Sequence, residues 1–596
     1  MPRPSVLPLL VIVSALWAIH VFFLAHLAFT GDEVRYVAYG LGLFYGEGFH
    51  PSDANWLTML GPLAARHPLQ TSPAGHAGLL IHSVVYPVLG APLIYLAGLD
   101  GARWLSFAVG AAGLAVLFAC LRRRFAPEAG LAGVLAVALA CPLIFFIGLF
   151  FSEILLFTAN ALVVAFFLDE KHRNPKYLLP AGLCLCLLPF LHVKLSLEAA
   201  AAFLILLASA RRYGASRARL LSLLAAAGGL FGLYLLYNYT LFGAPIGGGN
   251  PAFPTSPRLI ADRLIVNFFD MRHGLLPNAP HLLFGLIGLL WAAKDRDSRV
   301  RPLLPLFAAY LFTILWANGS EAYAARNWTA AMPFVAVGFA KWYEDSGRLN
   351  QLLAVPFLLL SLGLLCILLQ HPDAFLDSRN YSVPYDLLFA RVPWFNLGYL
   401  LPYDFLDHEG AQPYAAWGLG LAAAGVVGLY VAGQLLANRP AGTGQRGRMA
   451  AGAAAQIAAL AVILVFSLVE RVDVGAAIVH EPGHSYLVTT PQTPGSLAFV
   501  RVENPRAMVK PYGFFLIALE DGGTLRAHLM TRASAVVPLP PFTRADAVLI
   551  SETMANPAQH WLDTATGAAL YRRLIPLPGL DASPAATQPT SPRSSQ

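Results

Sequence analysis

The chain has 596 residues, of which 57% are hydrophobic and only 12% charged, and its mean hydropathy is +0.59. Soluble domains carry about 25% charged residues, so this composition excludes an ordinary soluble enzyme and predicts a polytopic membrane protein. The net charge of +7 does not mark a nucleic-acid binder, because no stretch interleaves basic residues with aromatics as such a groove requires.

The first apolar run, Val6 to Phe29, is long enough to cross a bilayer. No small-residue cleavage site precedes Gly31, so this run is expected to stay as an anchor and not to be removed as a signal peptide. Further apolar runs predict spans near 103–121, 129–150, 153–168, 177–192, 195–210, 220–239, 281–293, 302–317, 328–340, 350–370, 413–436 and 450–469, about thirteen in all. With the N-terminus cytoplasmic, the inside segments hold half of the chain's 40 Lys and Arg residues, including Arg122 to Arg124, Arg211 to Arg219 and Lys294 to Arg301. That bias matches the positive-inside rule. The outside loops differ in character. The first, about 30–102, contains the amphipathic pieces Val34 to Tyr45 and His82 to Ala97, which are expected to lie along the membrane interface.

All five cysteines fall inside apolar runs, where a free thiol acts as a small hydrophobe, so neither a disulfide framework nor a zinc site is expected. Beyond residue 470 the composition becomes mixed and short stretches alternate, as in Ser496 to Val502 and Ala547 to Ser551, which predicts a small β-rich extracytoplasmic domain over 471–580. His480 to His484 spells the zincin pattern, but Pro482-Gly483 in its middle opposes the helix that motif needs. The tail, 581–596, is rich in Pro, Ser, Thr and Ala and reads as disordered.

The candidate chemistry lies in charges placed where spans meet the outer surface. Asp32 and Glu33 directly follow the first span, and two adjacent carboxylates there either hold a cation, take a proton, or merely end the helix in water. Glu153 sits at the outer end of a span with no basic residue beside it in sequence, a costly position that calls for a partner or a cavity. Arg66, His192, Lys194 and Arg326 are the outside candidates for binding an anion. The bland alternative for Arg326 is a snorkelling side chain, and for His192 and Lys194 an interfacial anchor at a span end.

Gly31 to Glu33 after the first span resembles the bacterial polytopic sugar transferases of the GT-C fold, such as protein mannosyltransferases and the lipid A aminoarabinose transferase. Tyr86 to Pro92, Leu188 to Lys194, His273 to Pro280 and Ala325 to Thr329 resemble further stretches of that class, so the likeness spans Met1 to Lys341. Many relatives carry Pro after the Asp-Glu pair, where this chain has Val34. The resemblance implies an all-α, GT-C-like membrane module over 1–341, followed by additional transmembrane helices over 342–470. It implies sugar transfer from a polyprenyl-phosphate donor to a lipid or glycan acceptor of the envelope, with the bilayer presenting the donor's tail. Asp32 would be the catalytic base, and Glu33, Arg66, His192, Lys194 and Arg326 would bind substrate. A divalent cation held by Asp32 and Glu153 is left open. The competing reading is a non-enzymatic glycolipid transporter or flippase component; it calls for matching halves with broken spans, and no internal repeat is visible.

Overall fold

The computed structural model describes residues 6–25, 32–44, 46, 83–243, 257–270, 273–294, 299–316, 325–370 and 428, together with seven short strand stretches between 476 and 551. From residue 6 to 370 the described chain is helical, with no strand among its described residues. Among the described residues, Leu7–Leu24, Val85–Arg124, Val193–Arg212, Arg217–Phe242 and Asn350–Leu369 are long and apolar enough to cross a membrane. The chain is a membrane protein.

This corrects the expected architecture in two respects. Five described helices meet the length for a span, against about thirteen expected from apolar windows. Five others are apolar but hold only 10–17 residues; Ser152–Leu168, for example, is 17 residues long, or about 26 Å, short of a hydrocarbon core of roughly 30 Å. An apolar window cannot tell a helix facing lipid from one buried inside protein. The second correction concerns 471–580. Backbone strands are described there, beginning with Ala476–Glu481 antiparallel to His484–Thr489, but a β-rich domain is not shown. The two histidines of the zincin-like pattern fall in those two strands and not on one helix face. The expected span near 413–436, apart from residue 428, the expected span near 450–469, Arg66 and the tail lie outside the described residues.

Two departures from simple spans shape one end of the helical body. The helix Val85–Arg124 breaks at Gly98, whose φ of 67° and ψ of −154° only glycine adopts without strain. The break separates the amphipathic piece expected near the interface from the span that follows it. The expected span 129–150 is also divided, into Pro127–Ala138 and Cys141–Phe146, with Pro142 in the first turn of the second piece. From Ile147 to Phe151 the backbone is irregular and almost wholly shielded from solvent. Irregular backbone at membrane depth survives only where protein covers it, and here it carries Phe150 to Glu153 toward Asp32–Phe44. That helix buries Val34, Tyr36, Val37, Tyr39 and Leu41 against the Val85–Arg124 helix, so it is a packed wall and not a surface float.

The centre of the body is Met332–Asp345, whose residues from Met332 to Val337 are buried. It lies against Leu283–Lys294 at glycine contacts: a Cβ on Gly288 would run into the Gly338 carbonyl oxygen. In lipid, helices associate by close packing of small residues, since lipid tails are as apolar as leucine. Gly288→Ala is therefore expected to cost about 1–3 kcal/mol through overpacking, read as a shift in unfolding in a denaturing-detergent titration.

On the opposite end of Ser152–Leu168, His172 is buried in a turn outside the spans, its ring centroid 5.1 Å from that of Phe167. Burial, then the charge of Arg173, lowers its pKa to about 4 against an opposing pull from Glu170. In the unfolded chain it titrates near 6.5, so on acidification the unfolded state takes up the proton first. Stability should be level above that value and decline as the pH falls toward 4. In thermal unfolding at pH 7.5 and pH 5, the loss on acidification is expected to be smaller in His172→Phe than in the parent.

Candidate functional site

Asp32 and Glu33 open the Asp32–Phe44 helix, where the unpaired N–H groups of a first turn favour carboxylates. Their side chains then part. Glu33 is fully buried and receives Arg103 at both oxygens, from Nε at 3.1 Å and Nη2 at 2.9 Å. The Phe150 N–H also donates to Glu33 Oε1, at 2.8 Å. With its oxygens used this way, Glu33 fastens Asp32–Phe44 to the helix after Gly98 and to the irregular segment before Ser152. In this arrangement Glu33 acts as a structural anchor. Tyr86, stacked on Phe150 with centroids 4.6 Å apart, closes the same region.

Asp32 turns toward Arg326. The Arg326 Nη2 donates to Asp32 Oδ2, while its Nε donates to Glu153 Oε1 at 2.7 Å, so one guanidinium joins both carboxylates. Arg35, one helical turn on, lies 3.6 Å from Asp32 Oδ1. Lys194 Nζ lies 3.4 Å from Glu153 Oε1 and donates to Asn327 Oδ1 at 3.1 Å. Residues 294, 173 and 41 apart in sequence thus meet in one place. Arg326 is no snorkelling side chain and Lys194 is no interfacial anchor: each is 12% exposed at its side chain and held by carboxylates.

Local backbone explains how these side chains are aimed. Pro189 and the extended His192 end the Leu178–Leu191 helix; His192 Nδ1 then accepts from the Lys194 N–H at 3.1 Å, capping the short turn that swings Lys194 toward Glu153. Ala325 holds a left-handed φ of 51° directly before Arg326, an uncommon conformation for a residue with a Cβ. The turn after it is pinned where Asn160 donates to the Ala330 carbonyl at 2.8 Å and Tyr310 to the Asn327 carbonyl at 2.9 Å. The Arg326 guanidinium also lies 5.0 Å from the Phe151 ring centre.

Burial alone would weaken the charge on Arg326, but Glu153 and Asp32 beside it hold its pKa well above the usual arginine value. Burial, followed by the Asp32 and Glu153 carboxylates, pushes the Tyr36 phenol well above its ordinary range. It therefore remains a protonated donor, 3.1 Å from Ser152 Oγ, which in turn donates to Glu153 Oε2 at 3.4 Å. Arg103, Asn327, Tyr36 and Ser152 were not among the residues singled out from sequence. The only sequence signal for Arg103 was a lone arginine at the head of an apolar run.

Around this centre Arg326, Lys194 and Arg35 face two carboxylates, Asp32 and Glu153. The surplus is positive, which suits an anion such as a phosphate. A divalent cation does not fit the same donors: its two carboxylate ligands are already bridged by a guanidinium, and among the described residues no group of three or more His, Cys, Asp or Glu side chains gathers. Compared with protein-family models the chain matches none, and a comparison with characterised proteins finds no relative.

Proposed function

We propose that the chain is a glycosyltransferase of the bacterial inner membrane, moving a sugar from a polyprenyl-phosphate donor to a lipid or glycan acceptor on the extracytoplasmic side. The observation that carries this reading is the meeting of Asp32, Glu153 and Arg326, with Lys194 beside them, in a chain built of apolar helices. A lipid-linked donor can reach such a site from within the bilayer. Its phosphate would draw Arg326 and Lys194, and in competing for Arg326 it would loosen that group's hold on Asp32. The acceptor hydroxyl then gives its proton to Asp32 as its oxygen forms a bond to the anomeric carbon. The bond from that carbon to the phosphate oxygen breaks, and its electron pair goes to the lipid phosphate, where Arg326 and Lys194 stabilise the new charge. Glu153 keeps the two cations aimed, with Ser152 and Tyr36 supporting it.

The test uses purified full-length protein in lipid nanodiscs, with polyprenyl-phosphate sugars as donors and envelope lipids or glycans as acceptors. Donor binding is followed separately from product mass. Transfer of the sugar supports the reading. Donor binding without transfer for any acceptor would replace it with a glycolipid carrier, and absence of donor binding would remove both.

A further inference from the structure

Away from that centre, a groove of about 670 Å³ runs between the helices Val85–Arg124, Ser152–Leu168 and Leu178–Leu191. Its walls are apolar, with Leu162, Cys184 and Leu188 along them, and Leu162 is more than half exposed. Arg123, Lys171 and Tyr177 form one end. That end lies at the C-terminus of Val85–Arg124, which is long enough to cross a membrane, whereas Arg103, paired with Glu33 beside Asp32, lies 20 residues before Arg123 on the same helix, about 30 Å away, so the groove opens at the other membrane surface. The Leu178–Leu191 helix that forms one wall has 14 residues, about 21 Å, which exceeds the depth of one leaflet, half of a hydrocarbon core roughly 30 Å thick.

The charge at this end is lopsided. Asp169 is shared by Arg123 at 2.9 Å, Arg124 at 3.0 Å and Lys171 at 3.7 Å, three cations on one carboxylate. The carboxylate is 7% exposed while Arg123 and Lys171 are 56% and 45% exposed. The negative partner is thus turned inward and the positive groups outward. Glu170, the neighbouring acid, is taken by Arg173 at 2.8 Å. The Tyr177 ring, with Lys176 Nζ 4.8 Å from its centre, borders the same end, an aromatic beside basic groups of the kind that suits a lipid headgroup region.

We propose that this groove is a binding site for an anionic phospholipid of the bilayer, its phosphate on Arg123 and Lys171 and an acyl chain along Leu162, Cys184 and Leu188. Basic pockets between helices at a membrane surface select anionic headgroups, because an apolar slot alone takes any acyl chain whereas two exposed cations favour a net negative head. The proposal is independent of the transferase reading. Native mass spectrometry of the full chain, with phosphatidylglycerol or phosphatidylcholine of identical acyl chains added to the detergent, tests it. The wild type is expected to retain phosphatidylglycerol about tenfold better, and the double variant Arg123→Gln, Lys171→Gln to retain the two lipids equally. Leu162→Trp with Cys184→Trp, which fills the slot, should lower retention of both. Equal retention by the wild type overturns the proposal by itself, whether or not a variant folds. A preference that survives in a folded double charge variant overturns it as well.

Discussion

Asp32→Asn is expected to lower sugar transfer by about a hundredfold or more while donor binding stays within a few-fold of the parent, the usual worth of a positioned base. The substitution keeps the size of the side chain and leaves an oxygen that still accepts from Arg326, but an amide cannot take the acceptor's proton. Arg326 also keeps Glu153, so the arrangement of cations should persist. Arg326→Gln should behave in the opposite way. It removes the group that joins both carboxylates, so donor affinity should fall together with turnover. Measuring donor binding and single-turnover transfer separately distinguishes the two variants. If Asp32→Asn transfers sugar at the parent rate, Asp32 is not the base. If it loses donor binding as completely as Arg326→Gln, its role is to hold the cation.

Breaking the Glu33–Arg103 pair is expected to destabilise the protein by about 3–5 kcal/mol, the cost of leaving one buried charge without its partner. Both side chains are at most 1% exposed, so water cannot take over for a missing partner. Arg103→Met strands the Glu33 carboxylate among Tyr86, Phe150 and the Asp32–Phe44 helix. Adding Glu33→Gln should restore most of the loss, because the amide is neutral and its oxygen can still accept from the Phe150 N–H. Unfolding in a denaturing-detergent titration reads both variants. If the single variant unfolds with the parent, Glu33 does not anchor the fold, and its reading as a substrate ligand would return. Recovery in the double variant, with donor binding intact, would mark the pair as structural.

The residues at issue differ in what made them legible. The sequence alone determined that this is a membrane protein, because the free energy of moving apolar side chains out of water is a local sum over a window. It also singled out Asp32, Glu153 and Arg326, because charge at the edge of a bilayer is costly wherever it occurs. What such a group does depends on the partner it finds, and the partners here are 70 residues away for Glu33 and Arg103 and 294 for Asp32 and Arg326. Two neighbouring carboxylates that read alike in sequence thus took opposite roles, one sealed against Arg103 and the other turned to Arg326. Span count failed for a related reason. A hydropathy window does not register the break between Pro127–Ala138 and Cys141–Phe146, nor the glycine contact that lets Leu283–Lys294 pack inside the body. Apolar character is written residue by residue, whereas burial, helix breaks and ion pairing are settled by which helices can approach closely, and only the tertiary structure decides that.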